Sequence, residues 1–203
     1  MIKVGITGGI GSGKSTVCKI FECLGAPIYY ADDRAKELMH SSVKLKVEIT
    51  KLLGEQAYLR NGELNRNFIA DEIFKNDALR LKLNQIVHPF VIKDGQKWQK
   101  QHANCKYTIK EAALLVQSGS YKYLDKLIVV TAPESLRIQR ILKRNPNMTI
   151  DDIKRRLSAQ MKEDELVKYA DWVITNDGTK SIISQVYEIH QSLLHESERN
   201  IPR

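Results

Sequence analysis

The stretch "GITGGIGSGKST", residues 5–16, decides the fold. It carries Gly5, Gly8, Gly9, Gly11 and Gly13, then sets Lys14, Ser15 and Thr16 in a row. Glycine weakens strands and helices alike, so this much bare backbone serves the close approach of something to the main chain. Residues 8–15 fit the spacing G-x-x-x-x-G-K-[ST]. The flanks agree with it. "IKVGIT" alternates and is β-branched, which predicts a strand over residues 2–7. Val17, Ile20, Phe21 and Leu24 recur at helical spacing, which predicts a helix over residues 14–24. A strand, a glycine loop and a helix N-terminus together let backbone N–H groups converge on one anion.

That geometry predicts a site for the phosphates of a nucleoside triphosphate. Gly11, Ser12, Gly13, Lys14, Ser15 and Thr16 would line it, with Lys14 reaching the β- and γ-phosphates and the Ser15 hydroxyl offered to Mg²⁺. An Asn-Lys-x-Asp guanine signature is missing, and "TNDG" at residues 175–178 does not supply one.

The rest of the chain reads as alternating strands and helices. "PIYY" (27–30), residues 107–110, "KLIVVTA" (126–132) and "WVIT" (172–175) are the further strands. Helices are expected over 32–39, from Pro133 onward and over 179–198, while the final "RNIPR" reads as a frayed end. Residues 41–101 are amphipathic and mostly helical, interrupted by the turn residues of "GEQAYLRNGELNR". The expected fold is therefore α/β: a three-layer, five-stranded parallel sheet flanked by helices, with a helical insertion and a helical lid. The expected division is a nucleotide-binding core at 1–40, 105–139 and 170–203, an acceptor-binding domain at 41–104 and a lid at 140–169.

Composition narrows the class. The 203 residues carry a formal charge of +8, with 42% hydrophobic and 28% charged residues, an ordinary globular balance. No run of about eighteen apolar residues exists to span a membrane, and the N-terminus lacks a signal peptide's pattern. Cys18, Cys23 and Cys105 have no metal-ligand spacing and read as free thiols of a cytoplasmic protein. The five histidines are scattered, with no zinc pattern. The basic residues run through helical segments without interleaved aromatics, so polyphosphate small molecules, not nucleic acid, are the expected partners.

Ligands of an open parallel sheet bind beyond the carboxyl ends of its strands. Asp32 follows the second strand and reads either as a base for an attacking hydroxyl or as a helix N-cap. Glu111 follows the third and reads as a partner of the metal's water shell or as an ordinary polar strand end. The arginine-rich segment 137–156 reads as a lid closing over polyphosphate or as a solvated helix face.

Six segments in order resemble the dephospho-coenzyme A kinase family of the P-loop kinase superfamily: "GITGGIGSGKSTV" with "LGAPIYYADDRA", "LNRNFIADEIF", "LNQIVHPFV", "EAALLVQSG", "RRLSAQM" and "ADWVITNDG". The resemblance implies transfer of the ATP γ-phosphate to the ribose 3′-hydroxyl of dephospho-coenzyme A, the last step of coenzyme A synthesis, by a monomer or small homo-oligomer. It implies Asp32 as base, Arg140 as a lid arginine facing the phosphates, and Asn176 and Gly178 near adenine. Arg66, His88, Glu111 and Leu114 fall on acceptor-side segments. Tyr30 stands where the family has an Asp, Glu111-Ala112 where Asp-x-Pro is usual, and Gln117 in place of a Glu. Two other readings share the phosphate loop: another small-molecule or nucleotide kinase, and a non-catalytic ATP-binding switch.

Overall fold

The structure, a computed structural model, describes residues 1–199; the expectation for the terminal residues 200–203 lies outside the described residues. Five strands form one parallel sheet in the order β2-β3-β1-β4-β5. They are β1 Ile2–Thr7, β2 Ile28–Tyr30, β3 Tyr107–Glu111, β4 Lys126–Thr131 and β5 Trp172–Thr175. All five segments expected to be strands are strands. Because β3 and β4 flank β1 on opposite sides, the chain reverses its winding at β1. Such a switch point opens a crevice at the strand's carboxyl end, and here the glycine loop occupies it.

Residues alternate across each strand, and the two faces bury separate cores. On one face Val4, Ile6, Ile109, Ile128, Val130 and Ile174 pack with Val17, Cys18 and Phe21 of α1 (Lys14–Cys23) and with Val186, Ile189 and Leu193 of α9 (Ile182–Arg199). On the other, Leu127 and Val129 of β4 pack with Leu115, Val116 and Leu166. Strand β4 is buried on both faces, which is why it reads as a continuous apolar run. Its crossover to β5 carries α6 (Glu134–Arg144), α7 (Ile150–Ser158) and α8 (Glu163–Val167). Pro133 stands as the residue before α6, at φ −51° and ψ 139°, and Thr149 closes a reciprocal capping box with Asp152 at the start of α7.

Two compact units result: residues 1–30 with 102–203, and residues 31–101. The helical unit starts at Ala31, so the helix expected over 32–39 groups with the insertion. It holds α2 (Ala31–Ser41), α3 (Val43–Leu53), α4 (Arg66–Lys75) and α5 (Asp77–Gln101). Ser42 caps α3 through the Leu45 N–H, and Asn65 caps α4 through the Phe68 N–H. Leu45, Ile49, Ala57, Ile69, Leu83, Val87 and Val91 form its buried interior. The Arg34 guanidinium ties α2 to α5 with a two-pronged bond to Asp94, at 2.9 and 2.8 Å. Pro89 sits inside α5 and withholds the N–H that the Gln85 carbonyl would otherwise receive.

Phe21 is fully buried and meets the Tyr107 ring edge-on at 6.4 Å. Phe21→Ala should cost about 3–5 kcal/mol of stability through lost burial and the cavity left behind. Urea unfolding of the variant and the parent protein measures it; a loss below about 1 kcal/mol would mean that α1 is not anchored through this ring.

Candidate active site

The glycine loop joins β1 to α1. Gly13 sits at the helix N-cap with φ 100°, a left-handed conformation, and a Cβ there would lie 2.0 Å from the Asn176 side-chain nitrogen. Both conditions demand glycine. The first turn of α1 has no side-chain cap, its Thr16 and Val17 N–H groups donate to the Gly13 carbonyl at 3.0 and 3.1 Å, and the positive end of the helix dipole favours an anion there. Ser15 and Thr16 are exposed in that turn. The Lys14 ammonium folds back along the loop and donates to the carbonyls of Gly8 at 3.0 Å and Gly9 at 3.3 Å. Ser12 Oγ is the one buried side-chain oxygen or nitrogen without a hydrogen-bond partner among the described residues.

Four side chains from three other parts of the chain support the loop from outside. Arg140, on α6, sets its guanidinium 3.4 Å from the Gly11 carbonyl and 3.5 Å from the Ser12 carbonyl, and reaches both oxygens of Asn176 at 3.1 and 3.0 Å. Asn176, buried just past β5, donates its side-chain amide to the Ser12 carbonyl at 2.8 Å. Arg137, one helical turn before Arg140, donates to the Ile10 carbonyl at 2.9 Å. Gln160, between α7 and α8, accepts the Ile10 N–H at 2.8 Å. A loop whose N–H groups converge on an anion turns its carbonyls outward, and these donors meet them.

The structure thus brings Gly11, Ser12, Gly13, Lys14, Ser15, Thr16, Arg140 and Asn176 together. Gly178 lies two residues beyond Asn176, exposed and at φ 89°, in a turn where the Asp177 carboxylate accepts from the Thr179 N–H and hydroxyl. Glu111 is buried at the end of β3, in register with Ile6 of β1 and Tyr30 of β2. Burial raises the Tyr30 phenol above its ordinary range, with Cys18 and Glu22 adding to it. Cys18 of α1 is buried in the core, and its thiol is also pushed up, chiefly by burial and then by Glu111. Leu114 is exposed and shares a small cleft with Gly8, Gly9, Gln117 and Gln160.

In the helical unit, Asp32 is exposed in the first turn of α2. The helix begins at Ala31, so Asp32 lies inside the first turn and not at the N-cap position. Arg66 opens α4 and lines a cleft of about 440 Å³ with Lys36, His40, Glu63, Asn65 and Asn67. His88 lies half-buried in α5, beside Pro89, and does not line that cleft.

Sequence reasoning touched Arg137, in the arginine-rich segment, and Gln160, in "RRLSAQM", but did not place either against the loop. Arg137 had a usable signal: it precedes Arg140 by three residues and shares its helix face. Gln160 is the glutamine of "RRLSAQM", one of the segments that carry the family resemblance, but its hold on Ile10 had no local signal, because that partner lies 150 residues away.

Known proteins resemble this chain in sequence and in fold. The sequence profile of the dephospho-CoA kinase family matches residues 2–181. A dephospho-CoA kinase from Aquifex aeolicus is 37% identical over 194 residues, covering 95% of this chain and 98% of that protein. One from Bacteroides fragilis is 35% identical over 189 residues, covering 93% and 91%. The solved structure of dephospho-CoA kinase from Campylobacter jejuni superposes with a TM-score of 0.70 at 24% identity, over 98% of both chains, and shows the same P-loop kinase fold. A loop built to receive phosphates, a sheet that switches at that loop and a profile match running through both compact units have one reading: the chain belongs to the dephospho-CoA kinase family.

Proposed function

We propose that the protein transfers the γ-phosphate of ATP to the ribose 3′-hydroxyl of dephospho-coenzyme A, giving coenzyme A and ADP, the final step of coenzyme A synthesis. The observation that carries this reading is the family match across residues 2–181, which includes the helical unit as well as the nucleotide-binding core. The phosphate loop alone would fit any kinase of this fold; the helical unit is the part that distinguishes acceptors.

The chemistry follows from the residues. The amides at the start of α1 and the Lys14 ammonium receive the β- and γ-phosphates and stabilise the charge that spreads over the transferring oxygens. Among the described residues no cluster of three His, Cys, Asp or Glu side chains is placed to hold a metal ion. Mg²⁺ would arrive on the nucleotide, with the exposed Ser15 hydroxyl as its protein ligand and Glu111 as a partner of its water shell. When bound, Mg²⁺ would neutralise phosphate charge. The acceptor 3′-oxygen forms the new P–O bond, the bond from the γ-phosphorus to the bridging oxygen of ADP breaks, and the hydroxyl proton passes to the Asp32 carboxylate. Asp32 lies two residues past the end of β2 in the chain, on the ligand side expected for an open parallel sheet. Its place in the first turn of α2, beside Asp33, also suits the positive end of the helix dipole, and the Asp32→Asn variant below separates the two roles.

The remaining assignments follow from the same reading. Residues 41–104 bind the acceptor, with Arg66 and the cleft beside it taking the anionic part of dephospho-coenzyme A, and His88 a further acceptor-side residue. Leu114 lines the acceptor path on the core. Residues 140–169 act as the lid, and Arg140, Asn176 and Gly178 border the nucleotide base and phosphates. No helix among the described residues is long and apolar enough to cross a membrane, which suits an enzyme of the cytoplasm acting on soluble substrates, as a monomer or small homo-oligomer.

With ATP and Mg²⁺, the purified protein should phosphorylate dephospho-coenzyme A at the 3′-hydroxyl and leave adenosine, AMP, shikimate and pantothenate nearly untouched. Product mass and NMR across that panel decide it. A nucleoside or nucleotide that outcompetes dephospho-coenzyme A would overturn the acceptor, and ATP binding with no phosphorylated acceptor would favour a switch.

Lys14→Ala should retain the fold and lose roughly 10²–10³ in turnover, as removal of one electrostatic stabiliser does. Initial rates beside an unfolding curve measure both. Asp32→Asn keeps shape and hydrogen bonding but cannot take the proton, so ATP affinity should stay near that of the parent while turnover falls roughly 10²–10⁴. A variant with near-parental turnover would remove Asp32 from the proton path.

A further inference from the structure

Gly9 and Gly11 flank Ile10, so the crest of the phosphate loop has little conformational stiffness of its own. Its backbone groups nevertheless have defined partners. The Ile10 N–H donates to Gln160 Oε1 at 2.8 Å, and the Ile10 carbonyl accepts from Arg137 Nε at 2.9 Å. The carbonyl of the same Gly9–Ile10 peptide accepts from Lys14 Nζ at 3.3 Å and from the Ser12 N–H at 3.1 Å. That peptide therefore supplies one of the two carbonyls on which the Lys14 ammonium rests, the other being that of Gly8 at 3.0 Å. Rotating the Gly9–Ile10 peptide plane would take the N–H off Gln160 and the carbonyl off Lys14 together.

Both supports lead to one short segment. Gln160 belongs to the connection between α7 and α8, and Glu163 opens α8. Glu163 lies 3.7 Å from the Arg137 guanidinium and accepts the Ala132 N–H at 3.4 Å. From the other side, the Gln117 amide donates to the Ala159 carbonyl at 3.3 Å. Arg137 is held closely: its side chain is 11% exposed, and a Cβ on Gly9 would lie 2.2 Å from its guanidinium. A flexible arginine on a solvated face has neither property.

We infer that Gln160 and Arg137 are positioning residues of the ATP site, which clamp the two backbone groups of Ile10 and thereby set the phosphate loop and the Lys14 ammonium for the nucleotide. Neither needs to touch ATP. Through them the 159–163 connection determines how well the loop binds phosphate. The inference rests only on the loop's holding a nucleoside triphosphate, whichever acceptor receives the phosphate.

The test separates the hydrogen bond from packing. Gln160→Met keeps side-chain length and volume but cannot accept the Ile10 N–H; Arg137→Lys keeps the charge but loses the planar donor. Calorimetric Mg-ATP affinity needs no acceptor, so it reads the clamp even if the acceptor assignment is wrong. Each variant should weaken Mg-ATP binding about ten-fold, the effect of one well-placed hydrogen bond. KM for dephospho-coenzyme A and the melting temperature should stay near those of the parent. The double variant should lose less than the product of the two single losses, because both side chains act through Ile10. Parental ATP affinity in Gln160→Met, or a loss shared equally by both substrates with a lowered melting temperature, would overturn the proposal. Should Arg137→Lys fail to fold, Gln160→Met alone decides it by the same two criteria.

Discussion

Everything in the nucleotide-binding core answers to one constraint: a backbone loop that offers its N–H groups to an anion must turn its carbonyls away and find donors for them. In this protein the donors are cationic or amide side chains. Lys14 serves Gly8 and Gly9, Arg137 serves Ile10, Arg140 approaches Gly11 and Ser12, and Asn176 serves Ser12. These four residues come from three stretches of chain: the start of α1, two positions on α6 and the end of β5. The loop is short, but its shape depends on the relative placement of β1, β4, β5 and the helices between them.

That placement is set by ordinary packing. The strand residues facing α1 and α9 and the smaller apolar face under Leu115 and Leu166 hold β1 between β3 and β4. Asn176 reaches Ser12 because β5 is pinned to β4 in register, Thr131 opposite Thr175, with the Asn176 N–H on the Thr131 carbonyl. A slip by one residue would turn every side chain of β5 to the other face. The apolar core thus fixes polar contacts whose useful tolerance is a fraction of an ångström. The formal charge of +8 is partly spent here, since Arg137 and Arg140 face loop carbonyls and not solvent alone.

Much of this was legible in the chain. The strand alternation of "IKVGIT" and the unbroken apolar run of "KLIVV" are consequences of burial on the sheet, and burial leaves a mark on every residue of a strand. The glycine spacing is legible for a similar reason: positive φ and close approach exclude side chains at particular positions, so the constraint is written locally. Asp32 shows the limit. A carboxylate near a helix start serves equally in stabilising that helix end or as a chemical group, and neither the sequence pattern nor its place in the first turn of α2 separates the two. Arg140 shows another, since its residue type suggested phosphate contact while its place on α6 gives it loop carbonyls and Asn176 as partners.

The sequence by itself determined the α/β class, the five strands, the phosphate loop and the family, because each is carried by a periodicity or a fixed spacing along the chain. The tertiary structure alone decided the strand order with β1 at the switch point, the start of the helical unit at Ala31, and the hold of Gln160 and Arg137 on Ile10. These depend on residues up to 150 positions apart that meet only once the sheet has assembled. A hydrogen bond between distant side chain and backbone imposes no pattern on its neighbours in sequence, and so leaves nothing to read before the chain has folded.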